Sequence, residues 1–278
     1  MKLNHLFLLF VIYSCNDTNQ DRQVVIEKIT TEYLYQSSFQ QILDSAQVKG
    51  AILLYDAKND IYHSNDFDWV KQGKLPASTF KIANSIIALE TGVVENDSTL
   101  FAWDGEPRGM RVWEQDLILG EAFHRSCVPC YQEVARKIGA ERMNDHLQKM
   151  EYGEIVVDSS NIDLFWLQGD SRISPMQQID FLQRFYEEKL PISERTTGIM
   201  KKMIVMEHSD DYKLSGKTGW SIRDGHNNGW FVGYLEKGER LYFFATNVDP
   251  QEEFNMDFFP RIRREITLKA FEVMGILD

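Results

Sequence analysis

A serine placed three residues before a lysine, at the start of an apolar run, is the feature that most constrains this sequence. Residues 76–81 read PASTFK, and the apolar residues 82–89 follow directly. Proline is favoured in the first turn of a helix and glycine just beyond its end, so the proline and Gly92 predict the limits of one buried helix. Residues three apart on a helix share a face, which places the Ser78 hydroxyl beside the Lys81 amine at the helix N-terminus.

The pair of Ser78 and Lys81 has the chemistry of an activated nucleophile. A serine hydroxyl reacts poorly until a neighbouring base takes its proton. Lysine acts as that base only when burial lowers its pKa or when its amine is chemically changed. Phe80 and the apolar run predict the dry surroundings that burial requires. A Ser-x-x-Lys spacing is expected by chance about once in a chain of this length, so catalysis needs the support of a second motif.

A Lys-Thr-Gly triplet at residues 217–219 supplies a second motif, because it ends a predicted strand. Lysine offers a cation to an anionic group of a substrate, threonine offers a hydroxyl, and glycine lets a ligand approach the backbone closely. The triplet alone is common in turns. A serine-lysine helix followed by a Lys-Thr-Gly strand is a signature of β-lactamases and penicillin-binding proteins.

A set of stretches in one order, over roughly residues 30–278, makes the chain resemble the class D serine β-lactamases (oxacillinases). These stretches are Trp103-Asp104-Gly105, Ser126-Cys127-Val128-Pro129, Tyr152-Gly153, Phe165-Trp166-Leu167-Gln168-Gly169, Arg172-Ile173-Ser174, Lys217-Thr218-Gly219 and Tyr242-Phe243-Phe244-Ala245. Penicillin-binding proteins and class A enzymes would carry Ser-x-Asn where this chain has Ser126-Cys127-Val128. The resemblance implies an enzyme that hydrolyses β-lactam antibiotics, and so gives resistance to them, without a metal or organic cofactor.

The resemblance implies a catalytic role for four residues. Ser78 would be the nucleophile that is acylated. Lys81 would be the lysine that carbon dioxide converts into N6-carboxylysine, a carbamate that serves as the general base. Trp166 would donate a hydrogen bond to that carbamate, and Ser126 would relay a proton to the lactam nitrogen.

The other matched residues are implied to bind the substrate. They are Phe80, Val128 and Leu167 as an apolar wall, Lys217, Thr218 and Gly219 around the substrate carboxylate, and the backbone N–H groups of Ser78 and Trp220 as an oxyanion hole. Arg263 best matches the arginine that pairs with the carboxylate, although Arg261 and Arg264 lie close by in sequence. Bidentate pairing needs one particular direction on the helix, which favours Arg263, while a solvated surface arginine is the other interpretation of each.

Two features lie outside the usual family pattern. The family usually carries Tyr-Gly-Asn where residues 152–154 are Tyr-Gly-Glu, so Glu154 is assigned no catalytic role and its effect on substrate range stays open. Cys127 and Cys130 form a Cys-x-x-Cys motif, which occurs in redox sites and in halves of zinc sites. No second pair accompanies it and the six histidines show no paired ligand spacing, so the sequence predicts no metal site. Two packed thiols and a disulfide both remain open.

Residues 1–15 differ in character from the rest. Lys2 precedes an apolar run at residues 6–13, which is shorter than the roughly 20 residues a membrane-spanning helix needs. These are the parts of a secretory signal, and Ser14 followed by Cys15 resembles a bacterial lipoprotein cleavage site. We therefore expect a signal peptide over residues 1–15 with lipid on Cys15, a polar tether over residues 16–30, and a bacterial protein that is periplasmic or anchored to the membrane. A plain signal peptide with a chance cysteine is the alternative.

Residues 31–278 are expected to form one catalytic domain of the α/β class, in its segregated α+β form. Predicted strands near both ends of this domain would pair into one antiparallel sheet, and helices near residues 39–43 and 262–273 would cover one face of it. A mainly helical lobe over about residues 93–190 would be inserted between the two groups of strands. The predicted strands lie at residues 51–55, 61–63, 212–219, 229–235 and 240–246, with a hairpin turn at residues 236–239 that contains Gly238. Ser174 is a favourable N-cap, so a helix is predicted to start at Pro175.

Charge and composition narrow the range of partners. The formal net charge is -12 and no basic stripe is visible, which argues against nucleic-acid binding. The expected partner is a small β-lactam substrate, with membrane contact only through the lipid on Cys15. The alternative function is a β-lactam sensor domain, which is acylated without fast turnover, but such sensors carry several membrane helices and this sequence has only the short run at residues 6–13. A penicillin-binding peptidase is a second alternative, which Val128 disfavours.

Overall fold

A seven-stranded sheet organises residues 31–278, the part of the chain that this computed structural model describes. The strands of this part are β1 (Glu32–Tyr35), β2 (Val48–Asp56), β3 (Ile61–Ser64), β4 (Leu100–Phe101), β5 (Leu117–Ile118), β6 (Val205–His208), β7 (Lys213–Arg223), β8 (His226–Lys237) and β9 (Arg240–Pro250). β4 and β5 form a separate ribbon, and the other strands lie in the order β1-β3-β2-β9-β8-β7-β6. Neighbouring strands are antiparallel except β1 and β3, which are parallel.

The expected pairing of early and late strands is confirmed. β2 pairs along its whole length with β9, so the strands from the two ends of the domain meet in the middle of the sheet. The hairpin between β8 and β9 turns at Gly238, whose φ of 57° is the left-handed conformation that favours glycine. The parallel edge strand β1 was not predicted.

One face of the sheet is covered by the two terminal helices, α1 (Ser37–Ser45) and α8 (Phe259–Val273), as the sequence predicts. Their apolar side chains and those of the sheet form one fully buried group, which we call the terminal-helix cluster. It includes Phe39 and Leu43 of α1, Phe231 and Phe244 of the sheet, and Phe271 of α8. An amphipathic helix gains most of its stability from this kind of packing rather than from intrinsic propensity.

The other face of the sheet packs against the helical lobe. The helices on this side are α2 (Lys81–Glu90), α3 (Leu119–His124), α4 (Val128–Ile138), α5 (Ala140–Lys149), α6 (Pro175–Tyr186) and α7 (Glu194–Met203). Their buried side chains join those of the inner sheet face, such as Val232 and Ala245, in a second group that we call the lobe cluster. The α/β architecture expected from the sequence is therefore confirmed, while α7 was not predicted.

Capping explains where helices of the lobe begin. The Ser174 hydroxyl accepts a hydrogen bond from the backbone N–H of Gln177, and the Gln177 side chain accepts one from the backbone N–H of Ser174. This reciprocal capping box starts α6 at the predicted place. The Ser193 hydroxyl caps α7 in the same position by accepting from the Thr196 N–H.

Within residues 31–278, every helix is too short or too polar to cross a membrane. The expected signal peptide at residues 1–15 and the tether at residues 16–30 lie outside the described residues.

Candidate active site

The expected serine–lysine pair lies at the start of α2, against the inner face of the sheet. A 3-10 turn, Ala77–Phe80, precedes the α-helix and replaces the first α-helical turn expected from the sequence. The Lys81 Nζ lies 3.1 Å from the Ser78 Oγ, and both side chains are buried. The Ala77 φ of 51° is unusual for a non-glycine residue, so the surrounding contacts must hold the backbone just before Ser78.

Two neighbouring elements fix this turn. The backbone N–H of Ala77 donates to the carbonyl of Trp166 at 2.8 Å. The Gln178 Nε2 on α6 donates to the Thr79 Oγ1 at 2.9 Å, and that hydroxyl donates to the Pro76 carbonyl at 2.6 Å. No sequence pattern connects Gln178 with the site, because the contact joins positions about one hundred residues apart.

Lys81 is buried in a way that favours its neutral amine. Its side chain has no exposed surface, and its Nζ lies 4.9 Å from the centroid of the Tyr131 ring. Desolvation lowers the pKa of Lys81 well below its usual value, and the nearby charge of Lys217 lowers it further. A neutral amine next to the Ser78 hydroxyl can accept a proton or react with an electrophile, which an ammonium cannot do.

Two buried polar side chains near the Ser78 turn have no hydrogen-bond partner within residues 31–278. The ring of Trp166 stacks on Phe80 at 5.7 Å between centroids, and its indole N–H finds no acceptor among the described residues. Asn84 lies three residues after Lys81 on α2, and both the oxygen and the nitrogen of its buried carboxamide are unpaired within the same part of the chain. A buried unpaired group costs about 1–3 kcal/mol, so such groups indicate a missing partner. The sequence interpretation missed Asn84, although its polarity within an apolar run is a signal.

Ser126 reaches the site from the lobe, in the short connection between α3 and α4. Its φ is 51°, so it is, after Ala77, the second non-glycine residue of the site with a left-handed backbone. Its Oγ accepts a hydrogen bond of 2.5 Å from the Lys217 Nζ. Cys127 and Cys130 follow directly and are joined by a disulfide. The pairing that the sequence left open is therefore a disulfide in this structure.

Lys217 lies on β7, just beyond the point where the pairing of β7 with β6 ends. The pairing of β6 with β7 extends only as far as Ser215, so the edge of β7 from Lys217 onward faces the Ser78 turn instead. A Cβ added to Gly219 would lie 3.2 Å from the backbone nitrogen of Thr79 and 3.3 Å from the Ala77 Cβ. The absence of a side chain at Gly219 thus allows the strand to approach the turn.

The pKa of Lys217 is lowered because its side chain is buried near a second cation. The side chain is almost fully buried, and its Nζ donates to the Ser126 Oγ and, at 3.1 Å, to the Thr218 carbonyl. Desolvation, followed by the charge of Arg263, lowers the pKa of Lys217 to about 7. The lysine therefore exchanges its proton near neutral pH.

Arg263 is the one of the three candidate arginines whose guanidinium reaches β7. It is buried on α8 and donates to the carbonyl of Gly219, and desolvation lowers its pKa to about 10. Arg261 is exposed to solvent. Arg264 is directed to β6, where it pairs with Glu207. The three arginines point in different directions because they occupy different positions around α8. The structure therefore distinguishes them, whereas the sequence alone could only rank them.

The other expected binding residues lie in sequence next to, or within two residues of, residues already described in the site. Val128, Leu167, Thr218 and Trp220 are all partly buried. The Trp220 indole donates to the Asn227 side chain at 2.8 Å across the end of the β7–β8 hairpin. Glu154 is exposed and pairs with Arg172 only through backbone hydrogen bonds, which gives its side chain no catalytic contact.

Comparisons with known proteins agree on one family. A family model described as the penicillin binding protein transpeptidase domain matches residues 24–266. The chain is similar to β-lactamase OXA-10 of Pseudomonas aeruginosa, at 38% identity over 87% of this chain and 90% of that protein. It is also similar to β-lactamase OXA-48 of Klebsiella pneumoniae, at 39% identity over 78% and 82%. The crystal structure of a class D β-lactamase from Sebaldella termitidis superposes with a TM-score of 0.85 at 37% identity, covering 89% of this chain and 99% of that one.

Proposed function

Because this chain belongs to the class D β-lactamase family and is a β-lactam hydrolase, we propose that it works through an acyl-enzyme on Ser78, with carboxylated Lys81 as the general base. The observation that carries this proposal is the buried Ser78–Lys81 pair, together with Trp166, which stacks on the intervening Phe80 and whose indole N–H has no acceptor among the described residues. The comparisons do not favour the alternative of a sensor domain that is acylated without turnover.

The residues around Lys81 fit a carbamate. Desolvation lowers the pKa of Lys81 and so favours the neutral amine, which is the form that adds carbon dioxide. The unpaired Trp166 N–H supplies a hydrogen-bond donor for an anionic oxygen, and the Asn84 carboxamide offers a second. Carbon dioxide on Lys81 would supply an oxygen base able to take a proton near neutral pH. Class D β-lactamases need no metal cofactor, so carbon dioxide is the only added group in this proposal.

In acylation, the Ser78 Oγ attacks the lactam carbonyl carbon as the hydroxyl gives its proton to the general base at Lys81. The backbone N–H groups of Ser78 and Trp220 would receive the developing oxyanion. The lactam C–N bond then breaks, and the departing nitrogen takes a proton relayed by the Ser126 hydroxyl. The hydrogen bond from Lys217 holds that hydroxyl in place. In deacylation, water adds to the Ser78 ester and the serine leaves with its proton restored.

Recognition of the substrate carboxylate is assigned to Lys217, Thr218 and Arg263. Lys217 and Arg263 are buried cations whose hydrogen bonds go to neutral oxygens, those of Ser126, Thr218, Gly219 and Pro260. Buried cations without a counter-charge are costly, and an anionic group on the ligand would compensate them. Gly219 leaves room for the ligand at the backbone, and Val128, Leu167 and Phe80 would form the apolar wall.

Hydrolysis of nitrocefin tests the proposed function. We expect sustained turnover by the wild-type protein and a transient mass increase on the peptide that contains Ser78. Lys81→Ala should abolish turnover and let the acyl-enzyme accumulate slowly, whereas Ser78→Ala should give neither turnover nor adduct. A single stoichiometric burst from the wild type would instead identify a sensor or a peptidase.

Export of the enzyme is a further part of the proposal. The sequence of residues 1–15 supports a signal peptide cleaved before Cys15, with lipid on its sulfur. Cys15→Ser should then move the enzyme from the membrane fraction of the producing bacterium to the soluble periplasmic fraction. A wild-type protein found only in soluble fractions would contradict the lipid anchor.

A further inference from the structure

The Cys127–Cys130 disulfide lies directly beside Ser126, and the mechanism above makes no use of it. It joins Cα atoms 5.5 Å apart and closes a short ring that contains Val128. The Cys127 Sγ also accepts a hydrogen bond of 3.2 Å from the Cys130 N–H, so Cys127 is the N-terminal cap of α4. The disulfide therefore ties the residue after Ser126 to the first turn of that helix.

Ser126 needs external support to keep its conformation. Its φ of 51° lies in the left-handed region, which a serine does not prefer on its own. The backbone N–H groups of Ser126 and Cys127 donate to carbonyls of α3, those of Phe123 at 3.2 Å and Ala122 at 2.9 Å. The Trp113 indole donates to the carbonyl of Arg125 at 2.9 Å. Contacts thus fix the chain before Ser126, and the disulfide fixes the chain after it.

We propose that the Cys127–Cys130 disulfide is a positioning element of the active site, which holds the Ser126 hydroxyl in place for proton transfer to the lactam nitrogen. The inference rests on the proposed function, because it takes the role of Ser126 from it. Proton relay through Ser126 belongs to acylation alone, while deacylation uses water at the Ser78 ester. Loss of the disulfide should therefore slow acylation and leave deacylation unchanged. A disulfide that only stabilised the fold would not separate the two steps.

The disulfide is buried, with Cys127 1% and Cys130 9% exposed, but both cysteines border a surface cavity of about 160 Å³ through which a small thiol would approach, together with Trp103 and Trp113. A thiolate of dithiothreitol can attack one sulfur and release the other cysteine as a thiol. The second thiol of the reagent then attacks the mixed disulfide and frees the remaining cysteine. Two electrons and two protons pass to the protein, and the reagent is left as a cyclic disulfide.

The test compares the oxidised enzyme with two disulfide-free forms. One is the wild type reduced by dithiothreitol, and the other is the double variant Cys127→Ser/Cys130→Ser, which supplies the disulfide-free enzyme however slowly the reagent acts. Alkylation and tryptic digestion report the redox state, because the peptide 126–136 contains both cysteines and lacks Cys15. Single-turnover mixing with nitrocefin gives the acylation rate constant from ring opening, and the decay of the mass adduct on Ser78 gives the deacylation rate constant. Circular dichroism checks that each form is folded.

We expect both disulfide-free forms to acylate on the order of tenfold more slowly, since a catalytic group displaced by about 1 Å can cost up to a hundredfold. Deacylation should stay at the oxidised rate, and reoxidation of the reduced wild type should restore acylation. A Cys15→Ser variant should respond to dithiothreitol as the wild type does. Acylation at full rate in a folded disulfide-free form would overturn the inference, as would an equal loss in both steps or free thiols in the enzyme as isolated. Failure of the oxidised wild type to turn over nitrocefin would instead refute the proposed function.

Discussion

Replacement of Trp166 by phenylalanine removes one hydrogen-bond donor from the Lys81 pocket and keeps an aromatic ring there. The tryptophan is fully buried, and its ring packs on Phe80 at 5.7 Å and on Phe165 at 5.0 Å between centroids. Phenylalanine can keep these contacts. The main chemical loss is the indole N–H, which has no acceptor among the described residues.

The size of the effect follows from the charge of the missing partner. A hydrogen bond to a charged group contributes about 1.5–3 kcal/mol. At about 1.4 kcal/mol per factor of ten, Trp166→Phe should weaken carbon dioxide uptake by Lys81 roughly 10- to 150-fold. The stability of the enzyme free of carbon dioxide should change little. The smaller ring leaves a void, while the loss of an unpaired buried donor removes a penalty of about 1–3 kcal/mol.

Two measurements check this prediction. The carbamate carbon of Lys81 can be followed by NMR in buffer with ¹³C-labelled bicarbonate, and nitrocefin turnover can be followed over the same range of bicarbonate. The midpoints, which are the bicarbonate concentrations that give half-maximal carbamate and half-maximal turnover, should both be higher in Trp166→Phe than in the wild type, by the same factor. Trp230→Phe is the matched control, because Trp230 is equally buried but donates to the Leu75 carbonyl at 2.8 Å. It should lose stability and keep the wild-type midpoint. An unchanged midpoint in Trp166→Phe would refute the assignment of its N–H.

Three other predictions concern charge. With the pKa of Lys217 near 7, the contribution of this cation to kcat/KM for a carboxylate-bearing lactam should be full below that pH and fall as the pH rises through it. Lys217→Arg, which keeps its charge, should remove the decline on the alkaline side. Arg263→Ala should lower kcat/KM roughly 10- to 1000-fold through loss of a charge-assisted pair, whereas the exposed Arg261→Ala should keep it. Lys81→Met should raise the free energy of unfolding in buffer free of carbon dioxide. The pKa of the buried amine is depressed, so the wild-type lysine takes up a proton when the protein unfolds, and this uptake favours the unfolded state. Methionine removes that cost. Urea titrations should show a larger gain at pH 7 than at pH 9, and an equal gain at both would contradict the neutral amine.

The sequence predicted those parts of the fold that local pattern determines. The apolar runs of β8 and β9, the Ser174 cap of α6 and the glycine turn at Gly238 all lie where expected, because each depends on neighbours in sequence. β1 was missed because its partner β3 lies about thirty residues away and Tyr33 and Tyr35 remain exposed on this edge strand.

Helix α7 was missed for a different reason. Its first half contains Thr196, Thr197 and Gly198, which have low helix propensity, and burial of Met200 and Met203 outweighs that local preference. Propensity alone gives a weak signal in such a segment.

Within the active site, the sequence could name residue types but not their directions. The Ser78–Lys81 contact follows from helical spacing and agrees with the prediction. The choice of Arg263 over its neighbours depends on how α8 is rotated against β7, which only packing decides. The left-handed backbone of Ser126 and the closure of the Cys127–Cys130 disulfide likewise depend on distances that no spacing rule provides.

The lobe cluster joins residues of the helical lobe to the inner face of the sheet in one continuous group. Opening the lobe away from the sheet would expose that whole apolar surface, so the two parts should unfold together. Amide hydrogens of α2 and α6 should therefore exchange with deuterium at the same rate as those of β8 and β9, through global unfolding. The hydroxyl of Ser78 and the ammonium of Lys217 come from opposite sides of this junction, so the enzyme would lose its active site in the same event that unfolds its core.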